Sequence, residues 1–320
     1  MEKTDYKCEK VSRQFEKFGT EIDFQIVVES QAQFLQAQKD LALAEEKCTE
    51  IEKIFSRFDQ ASELSKINTN LGVEFSVSPL FLEVAQLVLE SYEKTNGYFD
   101  PRIIAELENT GYGQDFEKIS SVEISQNKKV VDFEKSLSED LKIENDKIIF
   151  QVRMDFTGIV KGFAVDHVAE FLTKRDWQNF VVDCGGDMFF AGKDKENKPW
   201  YIDVEGIPAQ NLLLELQNCA IATSGIGKRK WEIAGQRFHH LINPKKIGQY
   251  SFDLKAVTVV AGQAWQADVW AKTIFVMGNE RARQFTQANQ LACALLDYRG
   301  GVWLSTEFKK YLYKKDEEKK

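Results

Sequence analysis

Histidine is scarce in this 320-residue chain: only His167, His239 and His240 occur, and no two of them form an H-E-x-x-H pair, which excludes a helix-borne zinc hydrolase. The five cysteines (Cys8, Cys48, Cys184, Cys219, Cys293) are odd in number and scattered, with no C-x-x-C pair. They outline neither a disulfide framework nor a zinc site and are expected to be reduced thiols. No serine stands in a G-x-S-x-G elbow, so a triad hydrolase loses its nucleophile. Gly225, Gly227 and Lys228 imitate the end of a phosphate loop, but Ala222 stands where the first glycine belongs and Arg229 replaces the Ser/Thr. Positive charge is also short, with 42 Lys and Arg against 50 Asp and Glu for a net charge of -8, which argues against nucleic acid as a partner. No apolar run is long enough to span a membrane, and residues 1–10 lack the apolar core of a signal peptide. Thr4, Asp5, Tyr6 and Lys7 likewise supply no apolar segment ahead of Cys8. A cytoplasmic location is expected.

Hydrophobic residues make up 43% of the chain, enough for a substantial core without disulfide or metal staples. Ile22, Phe24, Ile26 and Val28 alternate as in a half-buried strand, and a long helix begins near Ala32 with an apolar face of Leu41, Ala44, Cys48, Ile51, Ile54 and Phe55. Ser78-Pro79 opens a second helix that should end by Gly97. Residues 106–150 are polar, with a hairpin turn at Glu144 to Lys147, and are expected to be peripheral elaboration. Further on, short strand-like runs (Val181 to Cys184, Trp200 to Val204, Leu212 to Leu216, Trp231 to Ile233, Val257 to Val260) are interrupted by helical patterns at Gly158 to Lys174, Trp265 to Met277 and Glu280 to Asn289. The helices do not alternate regularly with the strands, which predicts an α+β fold with largely antiparallel sheets and flanking helices. One domain is expected over 1–320: an N-terminal part (18–150), a core (151–306) and a charged tail (307–320), solvated from Lys309 to Lys320.

Several short segments rich in Gly and Asp are awkward to explain by packing alone. They read FSRFDQASELSKIN (55–68), GYFDPR (97–102), MDFTGIVKGFAVD (154–166), VVDCGGDMFFAG (181–192), ATSG (222–225), HLINP (240–244) and ADVWAKTIFVMG (267–278). Each has a plain reading beside a functional one. Cys184 to Asp187 is either a tight turn or a place where Gly185 and Gly186 let backbone approach a ligand. Thr223, Ser224 and Gly225 either end a strand or offer hydroxyls and amides to an anion. Lys161, on a largely apolar helix, wants either an anionic ligand or a salt bridge to Asp155 or Asp166. Asp100 before Pro101 either fixes a turn or faces a cleft, and His240 either packs in a core or meets a ligand.

In this order and spacing the seven segments resemble the ApbE family of FAD:protein FMN transferases, from about Gly19 onward. The resemblance implies two subdomains with a flavin-binding cleft between them, FAD as substrate, Mg2+ at its pyrophosphate, and transfer of FMN to a Ser or Thr of an acceptor flavoprotein with release of AMP. Hydrolysis of FAD to FMN and AMP, or FAD binding without turnover, are the alternatives; resemblance at Asn68 favours transfer. By the same resemblance Lys161, His240 and Asp268 are the catalytic candidates. Flavin contacts fall to Asn68, Asp100, Asp166, Gly185, Gly186, Asp187, Thr223, Ser224, Gly225 and His240.

Magnesium falls to Asp268 and the carbonyl of Gly158, where the chain departs from the family: Lys272 holds the position, four residues after Asp268, at which the family has Thr. A four-step lies about 40° around a helix and a five-step about 140°, so Thr273 should point elsewhere and metal binding should be weak without FAD. Lys272 is then free to neutralise a phosphate or to pair with Asp268. Asn243 replaces the Asp of the family's H-x-x-D-P segment, which removes a charge but keeps an Asx turn available. Phe18 departs from its M-G-T start. No D-G-x-[ST]-G-A-[ST] segment occurs, so self-flavinylation is not expected.

Overall fold

The computed structural model describes residues 8–110, 131–208, 212–227, 229–233 and 235–314. Eight strands form its frame: β1 (Glu9–Lys17), β2 (Thr20–Val28), β6 (Phe180–Cys184), β7 (Asp187–Ala191), β10 (Cys219–Gly225), β13 (Leu254–Ala261), β14 (Ala292–Asp297) and β15 (Val302–Leu304). They lie side by side in that order, and every neighbouring pair is antiparallel. The β1–β2 hairpin turns on Phe18 and Gly19, both at positive φ (55° and 65°), the twist that suits a two-residue hairpin.

Alternation along the strands sends side chains to two faces. Ile22, Phe24, Ile26, Val182 and Ala220 pack under α1 (Gln31–Phe55) and α6 (Thr157–Thr173), and Ala222, Val257, Val259 and Leu295 pack under α7 (Ala264–Met277) and α8 (Asn279–Ala288). Val181, Phe190, Ile221, Val260 and Leu296 face the other way, beneath the hairpin of β8 (Trp200–Asp203) and β9 (Leu213–Leu216). Residues 308–313 also cover that face. Phe308 is fully buried, and Tyr313 N–H donates to Leu213 O at 2.8 Å. Of the solvated end expected from Lys309, Lys309 and Lys310 are exposed, whereas Tyr311 and Leu312 are half-buried against this face; residues 315–320 lie outside the described ones.

A second, helical body surrounds a small sheet in the order β3 (Phe75–Ser76), β5 (Lys147–Phe150), β4 (Leu141–Glu144). Its helices are α2 (Glu63–Thr69), α3 (Pro79–Lys94), α4 (Ile104–Asn109) and α5 (Leu137–Asp140). Phe55, Phe81, Phe150 and Phe156 meet at its centre, with ring centroids 5.3–6.4 Å apart. Leu137, Leu141 and Ile148 join them with no more than 1% exposure, so this part of 106–150 is core and not peripheral. The rest of that stretch, 111–130, is outside the described residues.

Helix α6 belongs to both bodies. Ile159, Val160, Phe163 and Ala164 pack into the helical core, whereas Val165, Val168 and Leu172 pack on the sheet. It crosses α7 so closely that a Cβ at Gly162 would lie 2.6 Å from Trp265 Cα. No described helix is long and apolar enough to cross a membrane.

Candidate active site

Three of the Gly- and Asp-rich segments meet at residues 154–157, just before α6. Asn68 uses its whole side-chain amide on one residue: Nδ2 donates to Met154 O and Oδ1 accepts Met154 N–H, both at 2.8 Å. Asp155 N–H donates to Pro101 O at 2.8 Å, and its carboxylate pairs with Arg57 at 3.5 Å and caps Thr157 N–H at 2.8 Å. Asp100 in turn caps Arg102 N–H and, with Asp140, holds the fully buried Arg102 guanidinium at 2.6–2.7 Å. Asn68 and Asp100 are thus committed to fixing the backbone that launches α6, through side-chain atoms already in use.

Lys161, one turn into α6, reaches Asp187 Oδ2 at 2.6 Å. Neither Asp155 nor Asp166, the partners expected from sequence, is the one it takes. Asp155 serves Arg57, and Asp166 accepts Ala264 N–H at 2.8 Å and Trp265 N–H at 2.9 Å, capping the start of α7. Asp166 is therefore a cap spent on two orphan amides of a neighbouring helix. Burial nevertheless pushes its pKa up to about 6, the two N–H donors pulling the other way.

Asp187 is at the mouth of the β6–β7 turn, where the glycines have distinct duties. An added Cβ at Gly185 would run into the Thr20 side chain, whereas nothing lies within 4 Å of one at Gly186. Gly186 is required by its φ of +95°, and its N–H is held by Asp183 Oδ1 at 2.8 Å. The backbone beside it therefore opens on free space.

Opposite Asp187, α7 presents Asp268, 1% exposed, with Lys272 one turn on. The Lys272 ammonium donates to Asp268 Oδ1, and Asp268 Oδ2 is buried with no hydrogen-bond partner. The Lys272 stem passes Gly158: a Cβ there would lie 3.7 Å from Lys272 Cδ and 3.3 Å from the Phe99 ring. Burial and the field of Asp187 raise the Asp268 pKa, against the pull of Lys272 and Lys161. Burial disfavours the Lys161 ammonium, but Asp187 and Asp268 outweigh it and its pKa ends up raised. Two carboxylates and two ammoniums share one low-dielectric cluster. Thr273 is fully buried with its hydroxyl unpaired, and Lys272 rather than Thr273 is the residue on Asp268.

The end of β10 and the hairpin of β11 (Lys230–Ile233) and β12 (Gln236–His239) complete the surroundings. Thr223 and Ser224 point to opposite faces. Thr223 Oγ1 bonds Thr258 Oγ1 at 2.8 Å, with Thr223 paired to Thr258 across the sheet, and Ser224 lies on the face that carries α7. Gly225 has no room for a side chain, since a Cβ would lie 2.9 Å from Lys255 O. His240 is half-buried, 3.3 Å from Arg229 O through Nδ1. A carbonyl only accepts, so Nδ1 carries the proton and Nε2 is the bare acceptor. Burial and the neighbouring charges of Arg229 and Lys272 press its pKa down to about 3. Arg229, whose charge also bears on Lys161, has no salt bridge among the described residues. In the sequence it stands out only as a departure from a phosphate loop, and its one signal for this site is a basic residue four positions after ATSG. Asn243 makes its Asx turn, Oδ1 accepting Lys245 N–H at 2.9 Å, and its Nδ2 donates to Val276 O at 2.8 Å, a bond no aspartate could donate.

Residues 18–295 match the model of the ApbE family. A FAD:protein FMN transferase of Haemophilus influenzae is 31% identical over 253 residues, covering 75% of this chain and 73% of that one. Another, from Buchnera aphidicola, is 26% identical over 286 residues, 84% of this chain and 83% of that one. The solved structure of the ApbE protein from Thermotoga maritima superposes with a TM-score of 0.80 at 24% identity, covering 96% of this chain and all of that one, and so shares the fold. This chain belongs to the ApbE family.

Proposed function

We propose that the protein is a FAD:protein FMN transferase that moves FMN from FAD to a Ser or Thr hydroxyl of an acceptor flavoprotein and releases AMP. The observation that carries the reading is the cluster of Lys161, Asp187, Asp268 and Lys272 beside the open backbone of Gly186, within a chain whose curated relatives bear that name. A pyrophosphate needs cations and N–H donors in a dry setting. Lys161, Lys272 and Arg229 supply the cations, and the Gly185–Gly186 turn, whose Gly186 N–H is held by Asp183, leaves open space for the ligand to approach the backbone.

In the reaction the acceptor oxygen forms a bond to the FMN phosphorus as the bond to the bridging oxygen breaks, and AMP leaves with that oxygen. The hydroxyl proton passes to the bare Nε2 of His240, whose low basicity in the free protein rises as the pyrophosphate offsets Arg229 and Lys272. Lys161 is oriented by Asp187, and Asp166 fixes the α7 turn from which Asp268 projects.

The residues fit a magnesium ion. Asp268 Oδ2 is a buried, unpartnered carboxylate oxygen, and magnesium is commonly held by one or two carboxylates together with substrate phosphates and water. Asp268 with the Gly158 carbonyl would hold it, and it would neutralise charge developing on the pyrophosphate. Incubating the protein with FAD, Mg2+ and a candidate acceptor, then weighing the acceptor, tests the reading. A mass gain of one FMN is expected; free FMN and AMP with an unchanged acceptor would replace transfer by hydrolysis.

A further inference from the structure

Lys272 is in an unusual place for an ammonium. It is neither a solvated helix lysine nor a substrate-facing group at rest, because one of its three N–H donors is already held by Asp268 Oδ1, on the carboxylate whose other oxygen is buried without a hydrogen-bond partner. We propose that Lys272 is a built-in competitor for the divalent ion, so that Asp268 takes metal only after the pyrophosphate of bound FAD has drawn the ammonium away. The inference rests on the FAD reading above and adds an order of binding to it.

Charge balance is the first argument. Without ligand, Lys161 with Asp187 and Lys272 with Asp268 sum to zero in a nearly dry cluster. A divalent cation arriving alone would leave two uncompensated positive charges there, with Lys272 held beside it on the same carboxylate. FAD brings two phosphate charges of the opposite sign. Once they are present, the ammonium has a second partner and the metal has the phosphate oxygens it needs, so both cations can be accommodated.

Geometry supplies the second argument. The Lys272 stem runs beside Gly158, and its side chain is 21% exposed against 1% for Asp268. The lysine can swing toward the solvent side of the site while the aspartate stays in place. Lys161 is equally exposed, at 23%, and is likewise held on a carboxylate that is 1% exposed. What sets Lys272 apart is the carboxylate it holds, since Asp268 keeps a buried oxygen without a hydrogen-bond partner.

Manganese, a paramagnetic stand-in for magnesium, reports the site directly by its spin-resonance signal, and FAD binding is followed separately by flavin fluorescence. The native protein should bind Mn2+ weakly alone and at least about tenfold more tightly with FAD, and by reciprocity Mn2+ should tighten FAD by the same factor. Lys272→Thr should raise the affinity for Mn2+ in the absence of FAD and shrink the coupling factor. Lys272→Met, which keeps the stem but not the charge, should do the same to a lesser degree because it offers no oxygen. Lys272→Arg should keep the weak metal binding of the native protein. Equal Mn2+ affinity with and without FAD, or an unaltered affinity of the FAD-free Lys272→Thr variant, would overturn the proposal. A protein that leaves flavin fluorescence unchanged would instead refute the FAD reading, while the FAD-free comparison of native and Lys272→Thr protein would still decide whether Lys272 competes for the metal.

Discussion

Asp166 of α6 accepts the N–H of Trp265 at 2.9 Å, and that of Ala264 at 2.8 Å, so the first turn of α7 is held from the neighbouring helix. Asp268 follows within one turn and takes its position from this cap. Removing the cap with Asp166→Ala should cost about 1–2 kcal/mol, the usual worth of a capping side chain. Transfer should fall further than that loss explains, since α7 would no longer hold Asp268 in register. Asp166→Asn keeps one acceptor and should lie between. Urea unfolding alongside single-turnover transfer separates the two effects; equal transfer rates in all three proteins would deny Asp166 any positioning role.

Lys161 and Asp187 should behave differently, because the carboxylate is almost wholly buried. Lys161→Met leaves that charge uncompensated and should cost about 3 kcal/mol in urea unfolding, while FAD binding is lost. Adding Asp187→Leu should recover most of the stability but none of the FAD binding. A stable single mutant would mean that Asp187 finds another partner.

The strands and helices were legible because their periods are clean: Ile22, Phe24, Ile26 and Val28 all face one core, and Ser78-Pro79 does open a helix. β1 was not, since its exposed residues are charged or polar and Val11 alone among its nine residues is buried. The segments around the site were legible as a set, but not the division of labour among them. Nothing in the spacing tells that Asn68 is spent on Met154, that Asp100 holds Arg102, or that Asp166 caps a helix about a hundred residues later. These are long-range choices between equivalent hydrogen-bond partners, and only the packing of α6 against α7 decides them. Lys161 found an acid as expected, but from β7, which the sequence places no nearer than Asp155.

The two turn glycines make a contrast that one experiment can read. Gly185→Ala meets Thr20 and should destabilise by about 2–3 kcal/mol, whereas Gly186→Ala suffers only the backbone penalty of its positive φ, about 1 kcal/mol. FAD affinity should follow the opposite order relative to stability: Gly186→Ala, and more so Gly186→Val, should weaken it in a protein that remains folded. Normal FAD binding by a folded Gly186→Val would move the ligand away from this turn.

His240 sets a pH dependence whose sign can be worked out. Its folded pKa is pressed down to about 3, while the unfolded imidazole titrates near its ordinary value of 6.5. Between these values the unfolded chain holds a proton that the folded site refuses, so this group favours folding above pH 6.5 and loses that contribution as pH falls toward 3. At pH 5 the loss amounts to about 2 kcal/mol at most. His240→Gln removes the titration, so its stability relative to the native protein should improve on going from pH 7 to pH 5. Urea midpoints at the two pH values check it, and an unchanged difference would mean that His240 is freely protonated in the fold.

Asp268 offers the sharpest separation of binding from chemistry. Its removal, unlike that of Lys161, leaves no buried charge stranded: Lys161 keeps Asp187, and the partly exposed Lys272 can turn to water along its apolar stem. Asp268→Ala should therefore unfold within about 1 kcal/mol of the native protein, as a substitution without an orphaned partner does. The cluster of Lys161, Asp187 and Lys272 then carries one net positive charge, so affinity for the anionic FAD should hold or rise. Transfer, however, loses the buried, unpartnered carboxylate oxygen of Asp268 that is available to a metal. A fall of about 100-fold or more is expected, since a metal's stabilisation of phosphoryl charge is worth several kcal/mol. Asp268→Asn should show the same pattern, because a neutral amide oxygen is a poor substitute for a carboxylate at magnesium. Retained flavin binding with lost transfer is the expected signature, read by fluorescence and by the mass of the acceptor; unchanged transfer by the Asp268→Ala protein would remove this aspartate from the mechanism.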